Sequence, residues 1–199
     1  MKKLNFIIKY GLALLLLSFY SCESWLNVTP SDRLSEEMLF NDREGFVKAL
    51  NGVYIELNTN ELYGRNLTAG ALDVMGQYYS VASSSHAFYN YGGLVYTGND
   101  EKALFDNMWQ KCYAVIACCN TIIEKCDENK AGLSPVWKGS IKGEALALRA
   151  MLHFDMLRLF GPLTSELDKE SIPYQTNSDQ TVTPLLSGSE VIGLILDDL

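Results

Sequence analysis

Residues 104–126 read LFDNMWQKCYAVIACCNTIIEKC. Leu104, Phe105, Met108, Trp109, Cys112, Val115, Ile116, Cys119, Ile122, Ile123 and Cys126 recur at steps of three and four. On an α-helix those steps return to one side, so these residues form one wide apolar stripe. The spacing predicts a helix from about Glu101 to Asp127, and the rest of the fold is read outward from it.

Downstream, Gly132 breaks the chain. Ser134 and Pro135 then supply an N-cap and a first-turn residue. The helix they open runs to about Phe160, where Gly161-Pro162 stops it. Upstream, NDREGFVKALNGVYIELN (41–58) places Phe46, Ala49, Leu50, Val53, Tyr54 and Leu57 on one helix face. Asn41 is its expected N-cap, with Glu44 three residues on. A shorter helix is expected from about Leu67 to Gln77. Residues 164–186 are polar, hold Pro173 and Pro184, and read as a linking excursion with short strands. Ser187 and Glu190 form an S-x-x-E capping box before VIGLILDDL (191–199). Val191, Ile192, Ile195 and Leu199 give that last helix an apolar face, so the chain is expected to be the front part of a longer protein.

Ala150, Phe154, Leu157 and Pro162 match the tetratricopeptide increments of four, three and five, with Leu in place of the second alanine. The expected fold class is mainly all-α, tetratricopeptide-like helical hairpins with irregular loops and an incomplete C-terminus. Cys112, Cys118, Cys119 and Cys126 all fall in one helical segment. Residues seven apart on a helix lie about 10 Å apart, beyond disulfide reach. They are read as small apolar core residues rather than bridges or zinc ligands.

The amino terminus decides the compartment. Lys2, Lys3 and Lys9 precede twelve uncharged residues, Tyr10 to Ser21, which end at Cys22. At about 1.5 Å per residue, twelve residues fall short of a roughly 30 Å hydrocarbon core. A basic start and a short apolar run describe an export signal, and the cysteine at its end resembles a bacterial lipobox. Phe19 and Tyr20 depart from the tightest form of that pattern. The expected organisation is a lipoprotein signal peptide at 1–21, a lipid-anchored tether at 22–41 with Cys22 acylated, and a helical domain at 42–199.

The chain carries a formal charge of −8, and its first 21 residues hold three lysines and no acid, so the remainder carries −11. Such a chain repels phosphate backbones and anionic lipid headgroups. Nucleic acid is excluded as a partner, and membrane attachment falls to the lipid. Hydrophobic content of 48% is that of a folded domain.

Residues 78–99, YYSVASSSHAFYNYGGLVYTGN, break the helical pattern. Five of the nine tyrosines beyond residue 21 lie here. A tyrosine offers a flat apolar face for sugar C–H groups and a hydroxyl at its edge. Tyr89, Tyr91 and Tyr96 are the expected glycan contacts, with Asn90 and His86 as edge partners. Trp109, Tyr113 and Trp137 lie on helix stripes and are assigned to the core. Asn120 is expected to satisfy a backbone group, His153 to pack between helices, and Arg149, Asp155 and Arg158 to pair them. No G-x-S-x-G, H-E-x-x-H or phosphate-binding glycine loop is present, and no acid pair spaced for glycoside hydrolysis stands out. No catalytic, metal or cofactor residue is assigned.

Three separated stretches resemble one family. WLNVTPSDRLSEEMLFNDREGFVKALNGVY (25–54) is similar to the opening of the SusD/RagB family of Bacteroidetes outer-membrane lipoproteins. MWQKCYAVIACCNTIIEKC (108–126) carries the family's W-x-x-x-Y-x-x-I-x-x-x-N-x-x-I helix at Trp109, Tyr113, Ile116, Asn120 and Ile123. KGEALALRAMLHFDMLRLFGP (142–162) carries its E-A-x-x-x-R-A-x-x-x-F-D-x-x-R-x-x-G helix at Glu144, Ala145, Arg149, Ala150, Phe154, Asp155, Arg158 and Gly161. Members are several hundred residues long, so the chain resembles their N-terminal part. The resemblance implies a helical, tetratricopeptide-like protein outside the cell, over a SusC-like TonB-dependent transporter, that captures glycan or another nutrient without catalysis. The alternatives are a helical scaffold that binds protein partners and, further off, a glycoside hydrolase.

Overall fold

The computed structural model describes residues 36–179 and 182–199. Cys22 and the expected signal peptide lie outside the described residues. Among the described residues seven helices and two strands follow one another: α1 Glu36–Leu39, α2 Arg43–Leu57, α3 Ala71–Met75, α4 Tyr89–Gly92, α5 Asn99–Glu128, α6 Pro135–Phe160, β1 Glu170–Pro173, β2 Leu185–Ser187 and α7 Gly188–Asp198. All the packing in this section lies within Met38–Leu199. The mainly helical class is as expected.

α5 and α6 form an antiparallel hairpin joined by a turn with two left-handed residues. Asn129 caps α5 at φ 47°, and Gly132 follows at φ 64°. The Asn129 side chain donates to the Leu133 carbonyl at 3.2 Å and accepts its N–H at 2.7 Å, which fixes the turn locally. Ser134 then caps α6, its hydroxyl accepting from the Trp137 N–H. Gly161 ends α6, its N–H bonded to the Leu157 carbonyl at 2.9 Å.

The apolar stripe of residues 104–126 is the centre of the core. Met108, Cys112, Ile116, Cys119 and Cys126 are completely buried, as are Ala145, Leu152 and Met156 on α6. α2 lies against both long helices and contributes Phe46, Leu50, Val53 and Leu57. Truncating any large member of this set to alanine costs about 2–5 kcal/mol. α2 starts one residue later than expected: the N-cap is Asp42, whose carboxylate accepts the Gly45 N–H at 2.9 Å. The side chain at Gly45 could not be larger, since a Cβ there would fall 1.5 Å from the Leu39 carbonyl oxygen.

Two assignments to the core are corrected. Cys118 is exposed, because it sits about 100° around the helix from buried Cys119. Trp137 is 43% exposed in the first turn of α6, with the Arg43 guanidinium 4.6 Å from its ring centre. The helix expected over 67–77 shrinks to α3, bounded by Gly70 and Gly76.

β1 and β2 pair antiparallel and return the chain to α6. A buried polar network holds this excursion in place. Arg149 on α6 forms a two-bond ion pair with Asp198 on α7, at 2.7 and 2.6 Å. Its remaining nitrogen donates to Asn120 on α5, and Asn120 donates in turn to the backbone carbonyls of Gln175 and Asn177. Tyr174 donates to Asp198 at 2.5 Å and stacks on His153 at 3.9 Å. The His153 Nε2 accepts the Gln175 N–H, so its Nδ1 carries the proton and donates to the Arg149 carbonyl. Arg149 and Asn120 thus join three helices and a loop, as their burial in apolar surroundings requires.

Candidate functional site

The tyrosine-rich segment runs from Gln77 to Gly98 between α3 and α5. Its entry and exit turns use left-handed backbone, Gln77 at φ 61° and Leu94 at φ 54°. Such conformations are disfavoured for residues with a Cβ, so the surroundings must hold them. Gln77 is held by its own side chain, whose amide donates to the Gly92 carbonyl at 2.8 Å. Leu94 is bracketed by its own N–H to the Tyr91 carbonyl and by the Val95 N–H to the Asn90 carbonyl.

Aromatic edges anchor the segment to the long helices. Phe88 meets Tyr91 edge-on at 5.8 Å, and Tyr91 meets Phe105 at 6.0 Å. Tyr96 also meets Phe105, at 5.4 Å and nearly perpendicular. Phe105 continues to Phe160 on α6, and Phe160 to Trp109. Edge-to-face pairs of this kind contribute about 0.5–1.5 kcal/mol each beyond their burial. Burial raises the hydroxyl pKa of both Tyr91 and Tyr96, helped at Tyr91 by Glu101 and Asp100.

Glu101 ties the segment polarly. It is buried, and it accepts from the Asn90 side-chain amide at 2.7 Å. Gly98 lets it lie there, because a Cβ at Gly98 would come within 1.9 Å of the Glu101 carboxylate.

Three solvent-facing hollows surround the segment. The first, about 530 Å³, lies between α3 and the serine run, with Tyr79, Ser80, Ser83, His86 and Phe88 in its wall. The second, about 370 Å³, is walled by Gln77, Tyr79, Tyr89, Asn90 and the Gly92-Gly93 backbone. The third, about 420 Å³, has Arg65, Asp100 and Glu101 beside His86, Phe88 and Tyr91. Flat rings, amides and hydroxyls converge here, the composition of a site that holds a polar ligand with apolar faces.

The three tyrosines singled out from sequence fare differently. Tyr89 is 42% exposed and walls the second hollow. Tyr91 is 3% exposed, its ring engaged by Phe88 and Phe105. Tyr96 is half-buried against Phe105. Tyr79, 55% exposed and present in two hollows, is not among the three, nor is Gln77 among the expected edge partners. No periodic pattern in the loop ranks Tyr79 above its neighbours. Asn90 and His86, the edge partners expected from sequence, both stand in hollow walls. Among the described residues no three His, Cys, Asp or Glu side chains gather as a metal-ligand set.

Comparison with known proteins adds three findings. The SusD-like family model described as "Starch-binding associating with outer membrane" matches residues 24–189. SusD-like protein P38 of Formosa agariphila is 27% identical over 90% of this chain and 33% of its own length. SusD-like protein P2 of the same organism is 25% identical over 81% of this chain and 30% of its own. The chain thus spans about a third of the length of these relatives. A crystal structure of a SusD superfamily protein from Bacteroides thetaiotaomicron superposes with a TM-score of 0.61 at 20% identity, over 79% of this chain and 36% of that one. That likeness establishes the fold alone.

Proposed function

From the premise that this chain belongs to the SusD-like family of starch-binding proteins associating with the outer membrane, we propose that it is a cell-surface lipoprotein that captures glycan and delivers it to a SusC-like TonB-dependent transporter. The observation that carries the capture role is the gathering of three hollows around one ring-, amide- and hydroxyl-lined segment. In this reading Tyr89 and Tyr79 lie against sugar C–H faces, and Asn90, Gln77 and the serines meet hydroxyls. Tyr91 and Tyr96 contribute from beneath, by holding the segment on Phe105. Binding proceeds without bond cleavage. An acyl chain at Cys22 confines the protein to the membrane plane, outside the cell, where the effective ligand concentration at a neighbouring barrel mouth rises.

Affinity electrophoresis of the full-length protein tests the reading. Its migration is expected to slow in a gel containing the recognised polysaccharide, with no reducing ends released, and Tyr89→Ala is expected to restore most of the mobility. Free migration through every polysaccharide would leave a protein-binding scaffold as the better account, and newly released reducing ends would make the protein an enzyme.

A further inference from the structure

Between Asp73 and Asp100 stand 26 residues without one Asp, Glu, Lys or Arg, in a chain where one residue in five is charged. That stretch supplies both exposed tyrosines of the first two hollows, and among the described residues His86 is the only titratable side chain in their walls besides the tyrosines. Tyr79, Ser80 and Val81 belong to both hollows, so they form a ridge between them. At about 530 and 370 Å³, each hollow falls within the size range of small-ligand sites.

We propose, on the glycan-capture reading above, that this site takes an uncharged glycan chain laid across Tyr79 with sugar units in both hollows at once. An anionic sugar gains most of its binding from a guanidinium or ammonium partner, and bidentate arginine is the strongest of these. Among the described residues the walls of the first two hollows offer none. Among the described residues Arg65 is the one Lys or Arg in the walls of the three hollows, and it stands in the third beside two acids, Asp100 and Glu101. Its guanidinium is already engaged, 5.9 Å from the Phe88 ring centre and donating to Asn66 at 3.1 Å. A net charge of −8 adds a repulsive field for any anion approaching from solution. A neutral chain meets none of these penalties, and its alternating C–H faces and hydroxyls match the ring-and-amide walls.

The test runs the full-length protein through native gels of neutral polysaccharides (starch, mannan, xylan, galactan) and of anionic ones (alginate, polygalacturonate, chondroitin sulfate). Retardation in at least one neutral gel and in no anionic gel is expected. Retardation in an anionic gel would overturn the charge assignment while leaving glycan capture standing. Retardation in none would remove the capture reading, and this proposal with it. Calorimetry with oligosaccharides of the retarding polymer then tests the ridge. Affinity is expected to rise with chain length beyond the disaccharide, and Tyr79→Ala to lower it roughly ten-fold and flatten that rise. Tyr78→Ala is the control, since this ring is 80% exposed and walls none of the three hollows. Equal affinity for short and long chains, or equal loss in the two variants, would overturn the ridge.

Discussion

His153 is completely buried between α6 and the Tyr174 ring, with both ring nitrogens committed to backbone groups. Burial, reinforced by the nearby Arg149 charge and opposed by its bond to the Arg149 carbonyl and by Asp198, lowers its pKa from 6.5 to about 4. Above about pH 6.5 the imidazole is neutral in folded and unfolded chains alike, so it costs nothing. As pH falls from about 6.5 to about 4, the unfolded chain takes a proton that the folded chain refuses, and stability drops by about 3 kcal/mol. Urea unfolding at pH 7 and pH 4.5 is expected to show this loss in the wild type and a much smaller one in His153→Gln. Equal losses in the two proteins would assign the effect to other groups. At the same scale, the thiols show how one residue of rotation divides roles. Burial pushes Cys119 up to about 12, while its neighbour Cys118 faces outward.

Helices whose ends carry chemical signals are legible in the sequence. Ser134-Pro135, Gly161 and the Ser187–Glu190 box all act at the positions their residue types imply. Where two good caps stand side by side, as at Asn41 and Asp42, sequence does not rank them, and one hydrogen bond to Gly45 decides. The segment at 77–98 is legible as a loop rich in rings. Which rings turn inward is not, because inward and outward there depend on Phe105 and Phe160, distant residues that no local period encodes. Trp137 misleads for the converse reason: the periodic stripe of α6 extends into its first turn, where the ring stays 43% exposed with Arg43 of α2 over it. Gly98 gives this scale its prediction. Gly98→Ala crowds the Glu101 carboxylate oxygen that does not bond Asn90, so the carboxylate shifts, its bond to Asn90 is strained, and the segment loses about 1 kcal/mol of local order. Chymotrypsin is expected to cut the 78–96 segment faster in the variant at unchanged helical content. Unaltered cleavage would mean that the aromatic contacts alone hold the segment.

For the molecule as a whole, the acidic composition bears on the proposed attachment through Cys22. A chain of net −11 beyond residue 21 gains nothing from anionic headgroups, so in the proposed lipoprotein the acyl chains at Cys22 supply the retention, each buried methylene contributing about 0.8 kcal/mol. Cys22→Ala in the full-length protein is expected to move it from the outer-membrane fraction to the soluble one. Persistence with membranes through a high-salt wash would point to another anchor. No described helix is long and apolar enough to cross a membrane. The hollows at Tyr79 and Tyr89 bear on the fate of a captured sugar. Each ring keeps about half its surface in water, so in the proposed capture role a sugar is gripped from one side only. A grip from one side leaves few contacts to break at once, and affinity differences of that kind appear mainly in the dissociation rate, so the bound time is short. If the chain hands its ligand on, as proposed, that brevity serves it: release to the next binder needs no trigger, only a neighbour close enough to catch what is let go.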